Sequence, residues 1–127
     1  MGYTRRRAVL NEIERLCSVV LLAYCDSAGA LKAGEGERFW RSLELLLTAA
    51  DQIDALLWPG ETAAWLGIPD RSPLHQTGRR RLPKSTAMPL PDCAHFFDSG
   101  TFPSLLAAVA ELSHRAHEEN AYLRQLI

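Results

Sequence analysis

The stretch Phe39–Gly60, FWRSLELLLTAADQIDALLWPG, constrains this chain most, because it has the clearest period and the sharpest stop. Phe39, Leu43, Leu46, Ala50, Ile53 and Leu57 recur at three- and four-residue steps and fall on one narrow arc of a helical wheel. Pro59 and Gly60 end the pattern, since proline has no amide donor and its ring clashes with the preceding turn. Trp40, Leu47 and Trp58 form a second strip beside the first. The helix is therefore expected to touch two neighbours and to sit centrally in a bundle.

Two further helical patterns flank it. Thr4 is a candidate N-cap for a helix from about Arg5 to Ser27, with Leu10, Ile13, Cys17, Val20, Leu21 and Tyr24 on its core side. Arg5, Arg6 and Arg7 lie where that helix's own dipole disfavours positive charge, and a frayed, solvated start is expected. Gly29, Gly34 and Gly36 suggest a loose connection, after which Glu35 and Glu37 complement the positive end of the next helix. The segment ETAAWLG, closed by Gly67 and Pro69, suggests two more turns. A last helix begins near Thr101 or Ser104, with Leu105, Val109, Leu112, Ala116, Leu123 and Leu126 on one face.

Six of the seven prolines lie between Pro59 and Pro91, together with Gly78 and the basic run Arg79, Arg80, Arg81 and Lys84. No long helix survives that density of proline, so an irregular segment is expected over about 68–100. No strand pattern of period two extends beyond a few residues. The fold class read from the sequence is all-α: one domain over 1–127, a small bundle of three main helices plus short ones and one Pro-rich irregular segment.

Composition excludes several classes of function. At 127 residues and 47% hydrophobic, the chain suits a single core. A formal net charge of −1 provides no global field for nucleic acid or an anionic membrane, so such a partner must use a local patch. The longest unbroken apolar run, Val19–Tyr24, is too short to span a bilayer, and the start MGYTRRR lacks a secretory apolar segment. No membrane partner and a cytoplasmic location are expected. Cys17, Cys25 and Cys93 are an odd set without a Cys-x-x-Cys pair, which argues for reduced thiols and against a zinc site.

FWRS, LLWPG, LGIPDRSPL, RRR and HFFD stand in this order between Phe39 and Asp98, roughly half the chain. This succession resembles a group of small bacterial proteins with a Trp-Pro helix stop, a Ser-Pro-Leu turn and a His-Phe-Asp segment, associated with the HEPN-like helical domains. The resemblance implies an all-α bundle, often a homodimer, in which an Arg and a His four to six residues apart act on RNA without a metal or other cofactor. Such spacing aims both side chains into one cleft, where Arg holds a phosphate and His moves a proton. Here thirteen residues separate Arg81 from His95, three prolines among them, and only three separate Arg71 from His75. The resemblance thus implies a degenerate, non-catalytic member that binds RNA or another polyanion through Arg79, Arg80, Arg81 and Lys84. His95 and Asp98 fall on its His-Phe-Asp and are the catalytic candidates.

Read from the residues themselves, His95 and Asp98 are spaced to be a base and its orienting carboxylate, although a His beside Phe96 and Phe97 also suits a turn. Glu111, His114, His117 and Glu118 share an arc of the last helix that can ligate a metal, but the arc faces away from the apolar stripe and reads as solvated charge. No metal site is assigned. Asp54 lies close to the apolar line of its helix and needs a partner, expected from the arginines at 79–81. The alternative to an RNA-binding domain is a protein–protein interaction or self-association module in which Trp65, Phe96, Phe97 or Phe102 docks a partner or a second copy.

Overall fold

A computed structural model describes residues 2–58, 60–75 and 101–126. These residues form an all-α fold with no strand among them: α1 (Gly2–Ala33), α2 (Gly36–Leu57), the single turn α3 (Thr62–Trp65) and α4 (Thr101–Gln125). One apolar core joins all four helices, with Leu10, Ile13, Phe39, Leu46, Ile53, Phe102, Leu105 and Leu112 among its fully enclosed side chains.

The stripe read on α2 is the buried one: Phe39, Leu43, Leu46, Ala50, Ile53 and Leu57 are all enclosed. Trp40, Leu47 and Trp58 pack against the core from the side, half-buried. α2 is nevertheless not the central helix. α1 packs along both α2 and α4, whereas among the described elements α2's other substantial neighbour is only α3. The reason lies in the breadth of α1's apolar surface. Leu16, Ala23, Ser27 and Ala30 add a second buried line beside Leu10, Ile13, Cys17 and Val20.

α1 is also longer than the glycines suggest. It runs from Gly2, with Thr4 inside it, through Gly29 to Ala33. Ala30 is fully buried and continues the stripe at the spacing set by Ala23 and Ser27, and this packing outweighs the roughly 1 kcal/mol that an internal glycine costs a helix. The Ser27 hydroxyl, also buried, donates back to the Ala23 carbonyl at 2.8 Å. Gly34 is the true stop. At φ 74° it closes a Schellman turn in which the Glu35 amide donates to Ala30 O (2.9 Å) and the Gly34 amide to Leu31 O (3.2 Å). Only Gly34 and Glu35 separate α1 from α2, which folds back antiparallel. The same device ends α3: Gly67, φ 74°, with Ile68 N–H to Ala63 O at 2.8 Å and Gly67 N–H to Ala64 O at 3.1 Å.

α4 begins at Thr101, with Pro103 in its first turn, where a missing amide donor costs nothing. Leu105, Val109, Leu112, Ala116 and Leu123 are buried as the pattern predicts, but Leu126 is 47% exposed beyond the last helical turn. By length and composition Thr4–Ala33 is apolar enough to cross a membrane, a test that the core helix of a soluble protein also passes; 33% of its most apolar window is buried against the rest of the chain.

Candidate functional site

The helical core positions a histidine–carboxylate pair at the end of α2. α2 ends at Leu57, and Trp58 leaves it in extended conformation while its amide still donates to Asp54 O at 2.9 Å. After α3, a turn formed by Ser72 N–H to Pro69 O and His75 N–H to Ser72 O, each 3.0 Å, brings His75 back to that end of α2. The Ser72 hydroxyl also accepts from the Leu74 amide at 3.2 Å, and Leu74 is buried in the core. The His75 ring then stacks on Trp58, centroids 4.5 Å apart and planes 27° from parallel. The Trp58 indole N–H donates to Asp70 Oδ1 at 3.1 Å, which ties the strip to the turn.

His75 Nδ1 stands 3.3 Å from Asp54 Oδ1. Both atoms are buried, and neither has a hydrogen-bond partner. His75 is the group opposite Asp54 among the described residues, and the arginines expected there, Arg79, Arg80 and Arg81, lie outside them. In the sequence His75 stands at the wrong interval from Arg71 for an Arg–His pair, and so does not stand out. The usable signal was Asp54 itself, a carboxylate beside an apolar stripe that must find a donor.

A second polar cluster joins α1 to α4. Asn120 is 1% exposed and donates from Nδ2 to Asn11 Oδ1 (2.6 Å) and Glu14 Oε2 (3.0 Å), and its own Oδ1 has no donor. His117 Nδ1 lies 2.9 Å from Glu14 Oε1. The neighbouring residues of the proposed metal arc are otherwise engaged: His114 Nε2 is 3.1 Å from Glu118 Oε1, and Arg115 holds Glu111 at 2.8 Å. No three His, Cys, Asp or Glu side chains converge on a metal position among the described residues.

The antiparallel register fixed by Asn11–Asn120 and Glu14–His117 brings Arg5–Arg7 alongside the last turns of α4. α1 is helical from Gly2 rather than frayed there, and Arg5 and Arg6 are exposed on its first turns. The Arg6 guanidinium lies over the Trp65 ring, 5.1 Å from its centroid. Trp65 is consequently half-buried, and Phe102 is fully buried with its ring 6.0 Å from Tyr24. Neither is an exposed docking aromatic.

The other sequence candidates, His95, Asp98, Arg79, Arg80, Arg81 and Lys84, and with them Phe96 and Phe97, lie outside the described residues. Of the thiols, burial pushes Cys17 up to about 12, which leaves it inert at neutral pH, whereas Cys25 is exposed. The chain matches no protein-family model, no curated protein and no solved structure.

Proposed function

We propose that the chain is a HEPN-like helical domain, degenerate and non-catalytic, that binds RNA or another polyanion in the cytoplasm through Arg79, Arg80, Arg81 and Lys84. The observation that carries this reading is the anchoring of His75. Stacked on Trp58 and facing Asp54, it pins the chain to the end of α2 four residues before the first arginine of the run. Fixing one end of a segment that carries the basic run lowers the entropy cost of binding through it. Arg5 and Arg6, exposed on regular helix and engaged in no ion pair among the described residues, add positive charge to the surface.

The interaction-module reading loses two of its anchors, because Phe102 is enclosed and Trp65 is covered by Arg6. Self-association keeps one observation in its favour. The Asp26–Arg38 and Asp26–Ser42 bonds align α1 with α2 so that Leu22, one turn before Asp26, and Leu45, one turn after Ser42, fall on the same outer face, 71% and 54% exposed.

The test is binding and cleavage of a mixed pool of single-stranded and structured RNA at low salt, with His75→Ala and His95→Ala beside the wild type. The expected result is binding that weakens steeply with salt, survives His95→Ala, is weakened by His75→Ala and yields no cleavage. Cleavage lost in either variant would replace the non-catalytic reading with a metal-independent ribonuclease. Absence of any binding at low salt would contradict the RNA reading and move the assignment to self-association through Leu22 and Leu45.

A further inference from the structure

The first turns of α1 meet α3 in a cation–aromatic contact that no internal ion pair requires. Trp65 is braced from below by the core, and its helix is held from the far side by α4. Arg115 Nη1 donates to Leu66 O at 2.9 Å and Gly67 O at 3.1 Å, and a Cβ on Gly67 would stand 2.5 Å from that nitrogen. Substitution at Gly67 would thus both strain a positive φ and displace the guanidinium. The indole is fixed at its own end, and the Arg6 guanidinium lies over it, 5.1 Å from the ring centroid. Arg6 is exposed, and neither Arg5, Arg6 nor Arg7 has a carboxylate partner among the described residues. Arg7, the next residue, has a buried Nε with no acceptor.

A planar cation held over a fixed ring suits one class of ligand. Nucleobases stack on aromatic rings and guanidinium planes, and the flanking phosphodiester accepts charged hydrogen bonds. A folded duplex offers no free base face to such a platform. We propose that Arg6 and Trp65 form a stacking site for an unpaired base of single-stranded RNA. This inference rests on the polyanion reading above and narrows it from polyanions in general to strands with accessible bases.

The test compares a twelve-nucleotide oligoadenylate with an abasic ribose-phosphate strand of the same length, on wild type and on Arg6→Lys. Lysine keeps the charge and loses the plane, so a purely coulombic role is unaffected by the change. Wild type is expected to bind the base-bearing strand about 10-fold more tightly than the abasic one, and Arg6→Lys to lose that preference while binding the abasic strand as wild type does. Circular dichroism of Arg6→Lys should match wild type, since the side chain is exposed. Equal wild-type affinity for the two strands, or a preference retained in Arg6→Lys, overturns the stacking site and leaves polyanion binding standing. Failure of wild type to bind either strand overturns both.

Discussion

α1 is held by two partners in two different ways. Toward α2 the buried surface is apolar along the helix apart from Ser42, and the charged contacts lie at the turn end, where Arg38 bridges Asp26 (2.5 Å) and Glu35 (3.1 Å). Toward α4 a buried amide interrupts the apolar stripe, and Asn11, Glu14 and His117 close around it. The connection explains the difference. A two-residue link ending in a Schellman turn leaves α2 little freedom to slide on α1, so uniform apolar packing suffices. α4 is separated from α2 by more than forty residues of chain. Its register must come from side chains, and a buried Asn that finds its partners in only one alignment supplies it.

The largest test of that comparison removes apolar volume from each side. Leu46→Ala in α2 and Leu112→Ala in α4 each leave a cavity at a fully enclosed site and are expected to cost about 3 kcal/mol in denaturant unfolding. If the two helices share one core, both variants unfold in a single transition by every probe. A separate early loss of α4 would break the account.

Next in size is the polar seam. Asn120→Ala strips the amide that joins Asn11 and Glu14 and should cost about 1–2 kcal/mol, whereas Asn120→Leu restores volume without the hydrogen bonds. The leucine variant is expected to recover much of the stability yet to give broadened amide resonances in α4, the signature of a relaxed register. Sharp, native-like resonances in that variant would show that Asn120 does not set the alignment. Ser42→Ala, on the side whose register the turn already fixes, should cost less than Asn120→Ala.

The α1–α2 clamp also makes a prediction about acid. Hydrogen bonds from Arg38, then from Ser42, hold the Asp26 carboxyl below its ordinary value, with the Arg38 charge adding a smaller pull. A lowered folded pKa adds stability that is complete above the ordinary Asp value of about 4 and disappears as pH falls through the folded value. Asp26→Asn should therefore lower the thermal midpoint slightly at pH 7 and leave it unchanged at the acid end of the titration. The smallest effect distinguishes the two sides of α1: iodoacetamide should modify the Cys25 peptide promptly and the Cys17 peptide only as fast as the protein opens.

Much of the fold was legible because it depends on period. The α2 stripe is buried residue for residue, and the α4 stripe is buried up to Leu126, where the helix ends and burial ends with it. What the sequence concealed has specific physical causes. Gly29 resembles a break, yet burial of Ala30 carries α1 past it to a glycine whose positive φ actually closes the helix. Ser27 and Asn120 occupy core positions at helical spacing but are polar, so a search for apolar residues passes over them. The centrality of α1 was hidden because its apolar residues spread over two faces and blur the single stripe that makes α2 conspicuous. Of the site, the need of Asp54 for a partner was visible; that His75 comes to face it depends on a turn at Pro69–His75 that brings the chain back to α2.

The most direct test of the proposed polyanion binding is the salt dependence of single-stranded RNA affinity. Arg5, Arg6 and Arg7 together with Arg79, Arg80 and Arg81 offer six positive charges, which at roughly 0.7 counterions released per phosphate predict a slope of log K against log salt near −4. Arg79→Gln/Arg80→Gln/Arg81→Gln should reduce that slope to about −2. A wild-type slope near zero, or a slope unaltered in the triple variant, would contradict the claim that this domain holds a polyanion through its basic run.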